Sequence, residues 1–259
     1  MIRSALNDVR GFLLDLDGVF HVGDKLLPGA AETLSYLRTN KIPYRFTTNT
    51  TTRSRQALAA KLQGIGLDVT APEIISAPYA ASLHLRSMGN PSCHLVLADD
   101  TKQDFTEFPA TDDTPDAIVL GDIGNRWSYD LLNQLFRMMM NGAELIALHK
   151  GRYWQVEDGL QMDIGAFVAA LEYVTGKTAT IIGKPSASFF QLAVQELGLT
   201  AGQVAMIGDD IDSDIGGAQE AGLTGILVKT GKYRKEHADA SPAQPDGVLD
   251  SITDLMNWR

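Results

Sequence analysis

Two aspartates one residue apart, in Phe12-Leu13-Leu14-Asp15-Leu16-Asp17-Gly18-Val19, follow a short apolar run. A carboxylate so placed can attack an electrophile, hold a hard cation or move a proton, and a second one nearby allows those tasks to be divided. Three other stretches end in groups of compatible chemistry. Thr48 and Asn49 follow one apolar run, Lys184 follows another, and Asp209, Asp210 and Asp214 follow a third. Each is weak evidence alone, because a carboxylate after a strand is often only a turn or helix cap. Together they give carboxylates for Mg2+, with a hydroxyl, an amide and a lysine for phosphate oxygens. That is the inventory of metal-assisted phosphoryl transfer.

The elements that must carry these groups can be read from the pattern. Gly11–Leu14 reads as a buried parallel strand ending at the carboxylates. Residues 29–40 have helical spacing behind Pro28, residues 42–47 read as a strand, and residues 54–64 as a second helix. Strand then helix, repeated, predicts an α/β fold with a doubly wound, Rossmann-like parallel sheet. The C-terminal part repeats the scheme. Strands are expected over 179–182, 204–207 and 224–228, helices over 188–197 and 214–221, and a closing helix over 252–258. In such a sheet ligands collect outside the carboxyl ends of the strands, which puts all four polar stretches on one rim.

Residues 79–181 have strand signals of their own (95–98, 117–120 and 145–148) and helix signals (129–140 and 166–173). About 100 residues is too long for one connection, so a second, smaller α/β domain is read as inserted. The expected division is a core of 1–78 and 182–259 around an insert of 79–181.

Composition narrows the partners. The chain of 259 residues is 44% hydrophobic and 21% charged, as expected of a globular protein with a sizeable core. Its formal net charge of −10 argues against nucleic acid, whose backbone is bound through clustered Lys and Arg. One cysteine, Cys93, forms no internal disulfide and reads as a buried, inert thiol in a strand. No run approaches the ~20 apolar residues of a membrane span, and the first residues lack a signal-peptide pattern. A soluble, cytoplasmic protein with no membrane partner is expected.

Asp15-Leu16-Asp17-Gly18-Val19, Thr48-Asn49, Lys184 and Gly208-Asp209 with Asp214 resemble, in order, the four motifs of the haloacid dehalogenase-like hydrolase superfamily. The long insert is similar to that of the large-cap branch, which includes the nucleotide phosphatase NagD. The runs Leu132–Arg137, Ile146–Lys150 and Val228–Arg234 further resemble the group of haloacid dehalogenase-like hydrolase domain-containing protein 2 and phospholysine phosphohistidine inorganic pyrophosphate phosphatase. The resemblance implies a phosphatase with Asp15 as nucleophile and Asp17 as acid and base. It also implies Mg2+ on the carboxylates of Asp15 and Asp209 and the Asp17 carbonyl. Thr48, Asn49 and Lys184 would bind the phosphoryl group, with Asp214 orienting Lys184 or a metal-bound water. Asp210 would be an outer group or the start of a loop. The insert would be a substrate-selecting cap, the substrate a small phosphorylated molecule, and the assembly a homodimer. A dehalogenase expels halide and needs neither a proton donor nor a metal, so Asp17 favours phosphate chemistry. A phosphotransferase or mutase, and a non-catalytic phosphoryl-binding protein, remain the alternatives.

Other signals carry less. Thr175-Gly176-Lys177-Thr178 ends like a P-loop, but Leu171 stands where its first glycine belongs. Met138–Met140 reads as packing at a helix end. His149, Lys150, Arg152, Tyr153 and Trp154 read equally as a solvated turn or a substrate-selecting surface. Nearby, Asp163 adds a carboxylate that would repel very anionic substrates such as pyrophosphate.

Overall fold

A computed structural model describes residues 6–156 and 159–258, with backbone alone at 154–156 and 159–160. Met1–Ala5 and the side chain of Trp154 therefore lie outside the described residues. The first half of the chain forms β1 Gly11–Asp15, β2 His21–Val22, β3 Lys25–Leu26, α1 Ala30–Thr39, β4 Tyr44–Thr48, α2 Arg55–Gly64, β5 Ile74–Ser76, α3 Ala77–Ser87, β6 Cys93–Val96 and β7 Ala117–Leu120. There follow α4 Tyr129–Met140, β8 Glu144–Ala147, β9 Tyr153–Val156, β10 Gly159–Met162, α5 Gly165–Thr175 and β11 Thr180–Ile181. The last elements are α6 Ala187–Leu197, β12 Val204–Gly208, α7 Gly217–Glu220, β13 Thr224–Val228, α8 Lys235–Ala240 and β14 Gly247–Leu249. They divide into two compact units, one of Met1–Thr48, Leu58–Ile75 and Lys184–Arg259, the other of Asn49–Ala57 and Ser76–Gly183.

The first unit holds a six-stranded sheet in the order β14-β13-β12-β1-β4-β5. β1 pairs in parallel with β12 and β4, and β12-β13-β14 continue in parallel. From β1 the chain winds outward through β4 and β5, then starts again at β12 on the other side of β1. This is the doubly wound α/β arrangement, with its switch point between β1 and β12. β1 and β12 are buried throughout, as strands covered on both faces must be. Phe12 and Leu14 join Phe46, Ile207, Ile226 and Trp258 in one apolar cluster, while Leu13 between them faces the other way. Phe12 meets Trp258 edge to face at 5.0 Å, and Phe20 meets Phe46 the same way at 5.1 Å.

The second unit has its own parallel sheet, β11-β8-β7-β6, and the antiparallel pair β9-β10. Its core gathers Ile118, Leu120, Leu135, Ile146-adjacent Leu145, Val168 and Leu171, with Trp127 stacked on Phe167 at 3.9 Å. Met138 and Met139 pack into this core, while Met140 is exposed. Cys93 is buried, and burial pushes its thiol up to about 11. Among the described residues no helix is long and apolar enough to cross a membrane.

One strand joins a different sheet from the strands it was grouped with. The 179–182 stretch, read alongside the C-terminal strands although the expected insert runs to 181, pairs as β11 with β8 of the second unit. Ile182 and Gly183 extend that ladder by donating to the carbonyls of Ala147 and Leu148. Lys184 is thus not at the end of a core strand; it is the first residue of the first unit after the chain leaves the other sheet. A two-residue apolar strand contains too little pattern to say which sheet it joins.

Candidate active site

The site is built at the switch point of the first unit, where the carboxyl ends of β1 and β12 lie side by side. β1 delivers Asp15, which is 6% exposed, and β12 delivers Asp209, which is 2% exposed. Lys184 Nζ reaches between the segments and donates to Asp15 Oδ1 at 2.6 Å, with Asp214 Oδ1 also at 2.6 Å. The other oxygen of Asp214 accepts from the Asp210 N–H at 3.2 Å. Both oxygens of Asp214 are therefore occupied in orienting its neighbours.

Asp210 has a different task. Its Oδ1 accepts from the N–H groups of Asp212 and Ser213 at 3.1 and 3.0 Å, capping a wide helical turn over Ile211–Gly216. Ile215 N–H reaches back to the Asp210 carbonyl, five residues away, so the turn has π geometry. The helix expected from Asp214 accordingly begins earlier, in this turn, before α7. Although burial opposes ionisation of Asp210, those N–H groups and Lys232 hold its carboxyl below the usual range.

Asp17 lies outside the buried cluster. Its side chain is 53% exposed, with Oδ1 3.5 Å from Nε2 of the buried His21. His21 Nδ1 donates to the Gly23 carbonyl at 3.0 Å, since a carbonyl oxygen can only accept. Thr48, buried at the end of β4, stands one residue past the β-partner of Asp15. Asn49 belongs to the second unit, where its Oδ1 lies against Gly183; a Cβ on that glycine would come within 2.7 Å.

Burial dominates the electrostatics. It raises Asp15 to about 6, with Lys184 pulling down and Asp209 pushing up. Burial likewise raises Asp209 to about 6 and Asp214 to about 7. For Lys184 burial favours the neutral amine, but Asp15 and Asp214 outweigh it and hold the ammonium charged.

The cluster also fits a divalent cation. Asp15, Asp209 and Asp214 each place one carboxylate oxygen within 4.8 Å of the others. Asp209 Oδ2 accepts from the Lys232 N–H at 2.6 Å, whereas its Oδ1 is buried with no hydrogen-bond partner. A buried carboxylate oxygen left without a donor is costly unless a cation takes it. Hard oxygen ligands of this kind suit Mg2+. A cavity of about 210 Å³, lined by Asp209, Asp210, Lys232, Tyr233, Arg234 and His237, borders Asp209 on the outside.

The family model for haloacid dehalogenase-like hydrolases matches residues 12–109, and a second, HAD-hydrolase-like model matches 181–255. Human haloacid dehalogenase-like hydrolase domain-containing protein 2 is 42% identical, over 89% of this chain and 88% of its own length. The chain belongs to the haloacid dehalogenase-like hydrolases. Within that family, human phospholysine phosphohistidine inorganic pyrophosphate phosphatase is 34% identical over 97% of this chain and 94% of its own. A 4-nitrophenylphosphatase from Thermotoga maritima superposes with a TM-score of 0.90 at 28% identity, covering 98% of each chain. The family resemblance read from the four motifs and the α/β fold that goes with it are thus both found. This haloacid dehalogenase-like hydrolase also has a group the motifs did not point to, the loop after β13. Thr230 Oγ1 donates to the Gly18 carbonyl at 2.5 Å, and Lys232 supplies the N–H to Asp209. The signal was available, since the rule that ligands collect at carboxyl ends of strands applies to β13 as well as to β1 and β12.

Proposed function

We propose that this hydrolase is a Mg2+-dependent phosphatase that hydrolyses a small phosphorylated metabolite through an aspartyl-phosphate formed on Asp15. The observation that supports it most is the buried contact of Asp15 with Lys184, beside an Asp209 oxygen that no protein group satisfies. In this reading a carboxylate oxygen of Asp15 bonds to phosphorus as the bond to the leaving group breaks. Asp17, exposed enough to reach the departing atom, gives it a proton. Asp17 then takes a proton from water as that water attacks the aspartyl-phosphate, releasing phosphate and restoring the Asp15 carboxylate. Lys184 and Thr48 balance and hold the phosphoryl oxygens, and Asn49 adds an amide. Mg2+, held by Asp15, Asp209 and the Asp17 carbonyl, would neutralise charge on the transferring group.

The names of the relatives support both P–O and P–N bonds as targets. The groups of the first unit act on the phosphoryl group and say nothing about what is attached to it. Selection of the leaving group therefore falls to the inserted unit, acting as a cap. There Asp163 Oδ1 accepts from the Ile164 N–H at 2.7 Å, so part of its charge is already engaged.

Hydrolysis of para-nitrophenyl phosphate with Mg2+ tests the reading, comparing wild type with Asp15→Asn. Wild type should turn over, and the variant should lose essentially all activity while remaining folded. Equal rates, or no activity of wild type on any phosphomonoester or phosphoramidate, would overturn it.

A further inference from the structure

The run Val228–Arg234 leaves β13 and enters the site from the side of Asp17 and Asp209. Three contacts tie it there. Thr230 Oγ1 donates to the Gly18 carbonyl at 2.5 Å, and the Lys232 N–H donates to Asp209 Oδ2 at 2.6 Å. The third is steric. Gly18 and Gly231 both have positive φ, 86° and 55°, and pack so closely that a Cβ on either would overlap the Asp209 carboxylate.

These contacts fix the peptide that matters for cation binding. The Gly18 N–H donates to the His21 carbonyl at 2.7 Å. Because the peptide between Asp17 and Gly18 is trans and planar, the Asp17 carbonyl must point the opposite way from that N–H. The next peptide is held by Thr230. Gly18, the most permissive residue type, is thus pinned at both its N–H and its C=O. Without the Thr230 hydroxyl, its C=O would lose this donor and the turn would regain rotational freedom.

We propose that Thr230 is a positioning residue, whose hydroxyl, acting with the Lys232 backbone N–H, locks the Asp17–Gly18 turn and Asp209 in the arrangement that receives the divalent cation. The inference rests on the metal-dependent reading above. It assigns to this loop the outer hydrogen bonds that set ligand orientation, whose loss weakens metal affinity by about 10- to 100-fold in known metal sites.

The test is calorimetric titration of Mg2+ into the full-length wild type, Thr230→Val and Thr230→Ser. Valine keeps the shape and removes the donor; serine keeps the donor. Wild type should bind Mg2+, Thr230→Val should bind about tenfold or more weakly, and Thr230→Ser should return to wild-type affinity. At saturating Mg2+ the KM for para-nitrophenyl phosphate should stay unchanged in all three. Unfolding midpoints in chelator should differ by no more than the loss of one hydrogen bond, because the hydroxyl is assigned to cation placement and not to holding the fold. Failure of wild type to bind any divalent cation would sink the metal reading itself. Equal affinity of wild type and Thr230→Val would sink the positioning role alone. If Thr230→Val does not fold, Thr230→Ala takes its place; a similar loss of stability there would make the contact structural and overturn the proposal.

Discussion

Replacing Lys184 with methionine keeps the reach of the side chain and removes the ammonium that lies 2.6 Å from Asp15 Oδ1 and from Asp214 Oδ1. Both carboxylates are buried, so neither can turn to water for compensation. Breaking a buried ion pair by removing one partner costs about 3–5 kcal/mol, because a charge is left uncompensated in low dielectric. The cost should depend on pH in a definite direction. Burial, opposed by Lys184, raises Asp15 to about 6 and Asp214 to about 7, against the ~3.9 of an aspartate in an unfolded chain. Between those values the native protein holds more protons than the unfolded one, so its stability falls as pH rises through the window. Without Lys184 the main influence lowering both values is gone. The native variant then keeps its protons to higher pH, and its stability falls more steeply.

Each extra proton held steepens that fall by about 1.4 kcal/mol per pH unit. Urea unfolding in chelator at pH 5.5 and 7.5 reads this directly. Lys184→Met should be several kcal/mol less stable than wild type at pH 7.5 and much closer to it at pH 5.5. Adding Asp214→Asn, which removes one stranded carboxylate, should recover part of the loss at pH 7.5. An equal deficit at both pH values, or a larger one at pH 5.5, would refute the view that Lys184 serves as counter-charge to two buried carboxylates.

Two further outcomes follow from the cation-binding geometry. Mg2+ at about 100 times its dissociation constant should stabilise wild type by about 2.7 kcal/mol, an effect that chelator reverses and Asp209→Asn abolishes in thermal unfolding. Gly231→Ala should lose both stability and Mg2+ binding, because its Cβ would meet the Asp209 carboxylate and the Gly18 backbone. Gly23→Ala is the control: its φ is also positive, 59°, but its Cβ would meet nothing within 4 Å. It should show only the backbone strain of about 1–2 kcal/mol and bind Mg2+ normally.

Asp15 and Asp209 were legible because each ends a continuous apolar strand and the rim of such a sheet is where ligands gather. β7 and α4 were legible to the residue, since four buried apolar positions and a long amphipathic run leave little choice of element. What pattern could not supply was partnership. The 179–182 stretch reads as a strand in any sheet, and only its ladder with β8 assigns it to the second unit. His21 gave no sign of meeting Asp17, because that contact is made by a tight turn and not by periodicity. The loop of Thr230 and Lys232 works partly through backbone groups, which every residue type but proline shares. Hydrogen bonds from the main chain leave almost no trace in composition.

The proton and metal properties of the site are linked. Among the described residues, three buried carboxylates, Asp15, Asp209 and Asp214, face one ammonium in direct contact with two of them, Lys184. Low dielectric resists that excess of negative charge, and the raised values of all three acids express the resistance. A proton can relieve it, and so can a divalent cation; on the metal-dependent reading the two compete for the same oxygens. Binding of Mg2+ must then release protons below about pH 7, so apparent affinity weakens as pH falls through the window in which the metal-free fold grows more stable. On that reading, the groups whose protonation makes the metal-free site tolerable at low pH are those that would receive the cation at neutral pH. On the same reading an overall acidic chain can work on anionic phosphate, because the charge that matters would be set locally, by Lys184 and the cation, and not by the surface.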